Sequence, residues 1–171
     1  MRIGILGGSF DPVHLGHVRL AEKMLKSHAL ARIYFVPVKR SPFKTVPPRA
    51  SAKDRLAMLN LAIGDNPCFL TSSCELDRPA PSYTIHTIKY FKKRFPGAEI
   101  FLLMGIDSLK HLGKWKNSAE IRKLCRIRTC PRIGGISSSK VRARLAKGGS
   151  VSRLIPGKVE RWIRRKGIYQ A

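Results

Sequence analysis

Acidic side chains are scarce in this sequence. Ten Asp plus Glu face 34 Lys plus Arg, which leaves a formal charge of +24 over 171 residues. Such a deficit points to an anionic partner, and composition alone does not separate nucleic acid, an acidic membrane surface and phosphorylated metabolites. The imbalance is steepest from residue 121 onward, where Glu160 is the single acid among fifteen Lys or Arg. Aromatic residues reach only 8% and no recognised nucleic-acid-binding motif is present, so association with RNA or DNA is expected to be nonspecific at most. Long apolar runs are also missing. No window approaches the ~18 apolar residues of a membrane span, and the run 3–6 is too short for a secretion signal, so no membrane partner is expected. The four cysteines, Cys68, Cys74, Cys125 and Cys130, form no CxxC pair. Without any sign of secretion, the expectation is a cytoplasmic protein with reduced thiols.

What is present suits a folded domain. Hydrophobic residues make up 43% and charged residues 26%, values that argue against wholesale disorder, and the length suits a single domain over 1–171 with a substantial core. Strand-like apolar runs alternate with segments of helical period. Run 3–6 reads as a buried strand. Asp11 as N-cap with Pro12 at the first helical position opens a helix to about Lys26, with Val18, Ala21 and Leu25 inward. A second strand at 33–36 leads into a basic, proline-rich, exposed loop at 39–49. Ser51 with Asp54 starts a helix carrying Leu56, Leu59 and Ile63, and Gly64 stops it. A short strand at 68–71, a helix at 82–95 presenting Ile85, Ile88 and Phe91, and a core strand at 100–104 follow. Helices at 117–124, 139–147 and 156–165 and a strand near Ile127 complete the pattern. The expected fold class is α/β: a Rossmann-like, doubly wound parallel sheet with helices on both faces and a small helical C-terminal part. Ligands of such sheets bind beyond the strand carboxyl ends at a topological switch point.

The residues at that place are Gly7-Gly8-Ser9-Phe10-Asp11-Pro12-Val13-His14-Leu15-Gly16-His17. Two glycines allow a sharp turn and close backbone approach, and a helix start aims free N–H groups and the positive dipole end at an anion. His14 and His17, three apart, project from one face and offer donors to phosphate oxygens. The segment lacks the Lys-Ser/Thr of a P-loop and is not GxGxxG, so neither of those fingerprints explains it. A metal site on the two histidines needs further ligands that the sequence does not show. A second helix start, Ile136-Ser137-Ser138-Ser139-Lys140-Val141-Arg142, offers hydroxyls and N–H groups, with the Arg142 fork one turn in.

Together the two segments resemble the GG[ST]FDPxHxGH and ISSTxIR signatures of nucleotidyltransferases. The chain is most similar to the bacterial nicotinate-nucleotide adenylyltransferase family. Further resemblance runs through the middle and end of the chain: the helix at 51–63, Pro81-Ser82-Tyr83-Thr84, Gly105-Ile106-Asp107, Trp115, and the ending from Ile155-Pro156 to Tyr169. The resemblance implies adenylyl transfer from ATP, bound with Mg²⁺, to nicotinate mononucleotide. It implies that His14, His17 and Arg142 are catalytic and that Gly7, Gly8, Ser9, Phe10, His17, Lys44, Ser138, Ser139 and Arg142 bind ATP. Thr84, Gly105, Asp107, Trp115 and Lys116 would hold nicotinate mononucleotide, with the Trp115 ring on the pyridine, and no protein metal ligand is implied. Related alternatives are pantetheine-phosphate adenylyltransferase and a basic nucleic-acid-binding protein; the oligomeric state stays open.

Three departures from the family pattern stand out. Its PPHK loop reads Ser41-Pro42-Phe43-Lys44 here, keeping a lysine and losing the histidine. His86 replaces an acid commonly found after the SYT segment. Only residues 132–135 separate Arg128-Thr129-Cys130-Pro131 from the second signature, where members usually carry some tens of residues on the adenine side.

Overall fold

Five strands form one all-parallel sheet in the order β3-β2-β1-β4-β5. They are β1 (Arg2–Gly8), β2 (Arg32–Pro37), β3 (Phe69–Thr71), β4 (Glu99–Gly105) and β5 (Arg126–Cys130). The computed structural model describes residues 1–130 and 134–170. β1 is central, with Ile5 in register with Tyr34 on one side and Leu102 on the other.

Because successive strand side chains point to opposite faces, a strand buried on both faces reads as an unbroken apolar run. Leu6, Ile33, Phe35, Phe101 and Leu103 meet α1 (Leu15–Ser27), α2 (Ala52–Ile63), α6 (Ser138–Ala146) and α7 (Gly157–Lys166) in one core. Ile3, Ile5, Tyr34, Val36, Ile100, Leu102 and Met104 meet α3 (Thr84–Arg94) and α5 (Ser118–Leu124) in the other. A single turn, α4 (Ile106–Leu109), follows β4 directly, and a short 3₁₀ segment, Leu112–Lys114, precedes Trp115. Neither was expected from the sequence, because elements of three or four residues leave no periodicity to read. All four cysteines are free thiols. Among the described residues no helix is long and apolar enough to cross a membrane.

The start of α1 differs from the expectation. Asp11 and Pro12 do not open the helix; His14 is the N-cap and Leu15 the first helical residue. The reason is that the Asp11 carboxylate is committed elsewhere. Its Oδ1 accepts from the Ala50 N–H at 3.0 Å and the Tyr169 hydroxyl at 2.6 Å, and its Oδ2 accepts from the Arg49 N–H at 2.9 Å. Along α1 the fully buried positions are Gly16, Ala21 and Met24, while Val18 and Leu25 are half-buried against the same core.

Asp11 is 5% exposed and sits at the centre of a knot. Arg142 donates to the Asp11 carbonyl at 2.6 Å, and the buried Arg55 donates to the carbonyls of Ser9 and Val38 at 2.8 and 2.7 Å. The Leu15 N–H reaches the Leu154 carbonyl at 2.9 Å. Segments up to 158 residues apart thus hold the β1–α1 loop in place. Burial, and then the bond to Asp11, push the Tyr169 phenol far above its ordinary pKa, so this hydroxyl is a permanent donor. Tyr169→Phe is expected to lower the unfolding free energy by about 1.5–3 kcal/mol, since it removes a buried hydrogen bond to a charged acceptor. Urea denaturation measures this, and an unchanged midpoint would contradict the account.

Candidate active site

A cavity of about 430 Å³ opens where β1 and β4 end side by side. From there the chain proceeds to β2 on one flank and to β5 on the other, which makes this the switch point of the sheet. Gly7, Gly8 and Ser9 form one wall, and Leu102, Leu103, Met104 and Gly105 form the wall beside it. Neither Gly7 nor Gly8 has a positive φ; they close β1 rather than turn the chain. Gly8 is needed for packing, since a Cβ there would lie 3.0 Å from the Phe10 ring, whereas at Gly7 it would meet nothing within 4 Å.

Phe10 takes a left-handed backbone conformation, φ +46°, which turns its ring inward. The ring is 1% exposed and packs edge-on to His17 at 4.9 Å and against Phe35 at 6.0 Å. The conformation costs on the order of 1–2 kcal/mol, offset by burying an aromatic side chain. The His14 and His17 rings stack at 3.6 Å between centroids and 25° between planes. Both rings line the cavity.

Burial keeps both imidazoles neutral at physiological pH, so they act as neutral donors rather than as charges. Burial lowers His14 to about 4. Burial lowers His17 further below its ordinary value, with His14 and Lys44 acting in the same direction. The His17 Nδ1 accepts from the His14 backbone N–H at 3.2 Å, so in the neutral ring the proton sits on Nε2, leaving an N–H donor free for a ligand. The His14 Nδ1 is buried with no partner among the described residues. Positive charge comes instead from Lys44, whose Nζ donates to the Ser9 hydroxyl at 2.9 Å. Ser137 caps α6 by accepting from the Lys140 N–H, and the Ser138 hydroxyl donates to the Pro12 carbonyl at 2.9 Å. Both serines line the cavity, so the N-termini of α1 and α6 face one volume.

The opposite end is built by α3 and the chain after β4. Thr84 is the first residue of α3, behind Tyr83 as N-cap. The Lys116 ammonium lies 4.6 Å above the Tyr83 ring, and Trp115 stands beside it in the cavity wall. The segment 39–44 closes the front. Its Lys39 N–H donates to the Ser82 hydroxyl at 3.0 Å and its Arg40 carbonyl accepts from the Ser82 N–H at 2.9 Å.

Eleven of the sequence-derived residues therefore line one cavity: Gly7, Gly8, Ser9, His14, His17, Lys44, Thr84, Gly105, Trp115, Lys116 and Ser138. Four do not. Phe10 lies beneath His17, and Ser139 is exposed, within 3.1 Å of the Ser137 hydroxyl. Asp107 is exposed on α4, next to Ser108, which does line the cavity. Arg142 turns its Nη1 toward Asp11, 2.6 Å from the carbonyl and 3.7 Å from the carboxylate. Of the short segment at 132–135, Arg132 and Ile133 lie outside the described residues, as does Pro131 before them. Gly134 and Gly135 are both left-handed and lead into Ser137.

Some contributors were not read from the sequence. Arg55 is one, although its place four residues before Leu59 and eight before Ile63 put an arginine on the inward face of α2. Glu75 is another, a buried carboxyl in the cavity wall that accepts from the Thr87 hydroxyl at 2.5 Å, while Arg78 donates to that hydroxyl oxygen at 3.0 Å. Burial raises the pKa of Glu75, and the Thr87 hydrogen bond opposes that rise. No local pattern announces it, since segment 72–83 is irregular.

These features define an α/β protein with a switch-point cavity that has two helix N-termini and two histidines at one end and aromatic side chains at the other. Residues 5–144 match the cytidylyltransferase-like family. Relatives provisionally named nicotinate-nucleotide adenylyltransferase include one from Thermus thermophilus, 36% identical over 188 positions covering 99% of this chain and all of the relative. One from Synechococcus sp. JA-3-3Ab is 35% identical over 98% of this chain and 94% of its own. The chain belongs to the cytidylyltransferase-like family and, within it, to the nicotinate-nucleotide adenylyltransferases. Both alignments are longer than the 171 residues here, so the relatives carry residues with no counterpart in this chain. The fold is also that of a provisionally named nicotinate-nucleotide adenylyltransferase from Vibrio parahaemolyticus, with a TM-score of 0.82 at 21% identity over 99% of this chain and 96% of that one. A nicotinic acid mononucleotide adenylyltransferase from Plasmodium falciparum, solved with NaAD, shares it at a TM-score of 0.79 and 18% identity, over 98% and 97%.

A folded-state pKa near 4 for His14, against 6.5 when unfolded, makes the unfolded chain bind the extra proton first as pH falls. The contribution is intact above pH 6.5 and lost between there and 4, by up to about 3 kcal/mol. His14→Asn is therefore expected to flatten the fall in stability over that interval, read by denaturation at a series of pH values. Parallel slopes for parent and variant would refute it.

Proposed function

We propose that residues 1–171 act as one nucleotidyltransferase domain that joins ATP and nicotinate mononucleotide into nicotinate adenine dinucleotide, releasing pyrophosphate. One observation carries the reading: residues from 7 to 138 meet on a single cavity with phosphate-directed donors at one end and Trp115 and Lys116 at the other. In the reaction a phosphate oxygen of the mononucleotide forms a bond to the α-phosphorus of ATP while the bond to pyrophosphate breaks. The attacking phosphate is already ionised near neutral pH, so neither a protein nucleophile nor a general base is needed. Bringing two polyanions together is the obstacle. A pair of unit charges at 4 Å repels by about 4 kcal/mol at an effective dielectric of 20.

The residues answer that obstacle with donors rather than a dense cluster of charges. His14 and His17 offer neutral imidazole N–H groups, Lys44 supplies a cation, and the α1 and α6 N-termini add partial positive charge. Fixed donors of this kind stabilise charge that develops at the reacting centre, and alignment of two reactants contributes a further ~7–11 kcal/mol. The Ser138 backbone N–H at the start of α6 joins the donors, Arg142 places the 9–14 loop through Asp11, and Thr84, Gly105, Trp115 and Lys116 form the mononucleotide end. Asp107, Ser139 and Phe10 support their neighbours from outside the cavity. Mg²⁺ belongs to this reading as part of the ATP substrate. The donor set does not fit a resident ion, because the cavity's carboxyl group is Glu75, bound to Thr87, and among the described residues no three His, Cys, Asp or Glu cluster. Free thiols in all four cysteines suit the cytoplasm, where ATP is made available.

Pyrophosphate release from ATP with nicotinate mononucleotide is the direct test. Release with phosphopantetheine instead would move the chain to a sister activity. His17→Ala is expected to lower kcat by about 10²–10³, as for loss of a fixed donor to a developing charge, a larger effect than the loss of its packing on Phe10 and His14 has on stability. Equal turnover would remove His17 from the chemistry.

A further inference from the structure

Phe43 is an unusual side chain for a loop tip. It is 55% exposed, one of few large apolar residues left in solvent, yet the turn that carries it is tied down on both sides. Its own N–H donates to the Ser41 hydroxyl, and the Lys44 N–H closes the turn onto the Ser41 carbonyl at 3.3 Å. On one side of the turn, Lys39 and Arg40 are bonded to Ser82; on the other, Lys44 is bonded to Ser9. This anchoring holds the Phe43 ring opposite Trp115, with centroids 6.3 Å apart and planes 28° from parallel. Both residues line the cavity.

The spacing is informative. A planar ring layered between two others needs about 7 Å from face to face, twice the ~3.5 Å optimal carbon separation. The centroid separation of 6.3 Å is less than about 1 Å short of that, and the ring planes lie within 28° of parallel. The chemistry of the occupant agrees with the geometry. In a pyridine nucleotide the ring nitrogen carries the ribose, so the ring is a flat cation. Aromatic faces bear the negative lobe of the ring quadrupole and attract cations placed over them. Two such faces favour a pyridinium over a neutral ring of the same shape.

We propose that Phe43 and Trp115 form the two walls of a slot for the pyridinium ring, which makes Phe43 a specificity-determining residue for the mononucleotide. This rests on the reaction proposed above. The ring enters between the two faces, and the anchored turn places Phe43 with little further ordering.

Steady-state assays of the full chain test it. Phe43→Ala is expected to raise KM for nicotinate mononucleotide about 5-fold, the size of one lost aromatic face, with kcat and the KM for ATP within twofold of the parent. Phe43→Tyr, which keeps the face, is expected to restore the parental KM. An unchanged KM for nicotinate mononucleotide in Phe43→Ala overturns the proposal, and so does an equal rise in the KM for ATP, which would assign the ring to loop support. A second measurement needs no turnover: in a Trp162→Phe background, nicotinate mononucleotide alone should quench Trp115 emission, with a weaker Kd once Phe43 is Ala. Equal Kd values overturn the slot. Failure of the parent to release pyrophosphate would instead refute the proposed reaction while leaving the fluorescence titration to judge the slot.

Discussion

One buried carboxylate organises the site. Asp11 collects two backbone N–H groups from the segment just before α2, a hydroxyl from residue 169 and, through its own carbonyl and carboxylate, the Arg142 Nη1. A charge placed in so little water is tolerated only when every lone pair finds a donor, and the donors here come from separated segments of the chain. The β1–α1 loop is consequently held between the segment before α2, α6 and the C-terminal end of the chain. Arg55, buried alongside, ties the same loop from below through Ser9 and Val38. The histidines, Ser9 and the end of β1 inherit their placement from this arrangement.

The same packing decides the electrostatics. A charge of +24 suggests a dense cationic site, yet the two cavity histidines are kept neutral by burial. A neutral imidazole with Nδ1 occupied is a directional donor that does not have to shed a tightly held water shell when a phosphate arrives. Charge enters at Lys44 and Lys116, at the rim, and through the ends of helices. Many of the basic residues lie on exposed helix faces, among them Lys158, Arg161, Arg164, Arg165 and Lys166 of α7.

Much of this was legible along the chain. The inner strands and six of the seven helices follow from apolar runs and helical period, because both faces of the sheet are covered there; the edge strand β5, Arg-Ile-Arg-Thr-Cys, is read as a basic strand around Ile127. The two signature segments pointed to one pocket, and the pocket holds eleven of the residues they and the middle of the chain suggested. What failed did so for a common reason. Asp11 looks like a helix cap because Asp before Pro is a good local cap; its long-range partners have no local trace. That Arg142, one turn into a helix, reaches back to the Asp11 carbonyl is likewise not visible in the local pattern. Glu75 sits in a segment without periodicity, and its role exists only once α3 brings Thr87 beside it.

The sequence alone determined the alternation of strand and helix, the parallel sheet, the position of the ligand end and the phosphate-directed chemistry, since each depends on short-range pattern and backbone geometry. Only the tertiary structure decided which side chains face the cavity, which are consumed in holding it, and that the histidines carry no charge. Those properties depend on burial and on partners up to 158 residues away, and desolvation is a property of the packed whole rather than of any segment.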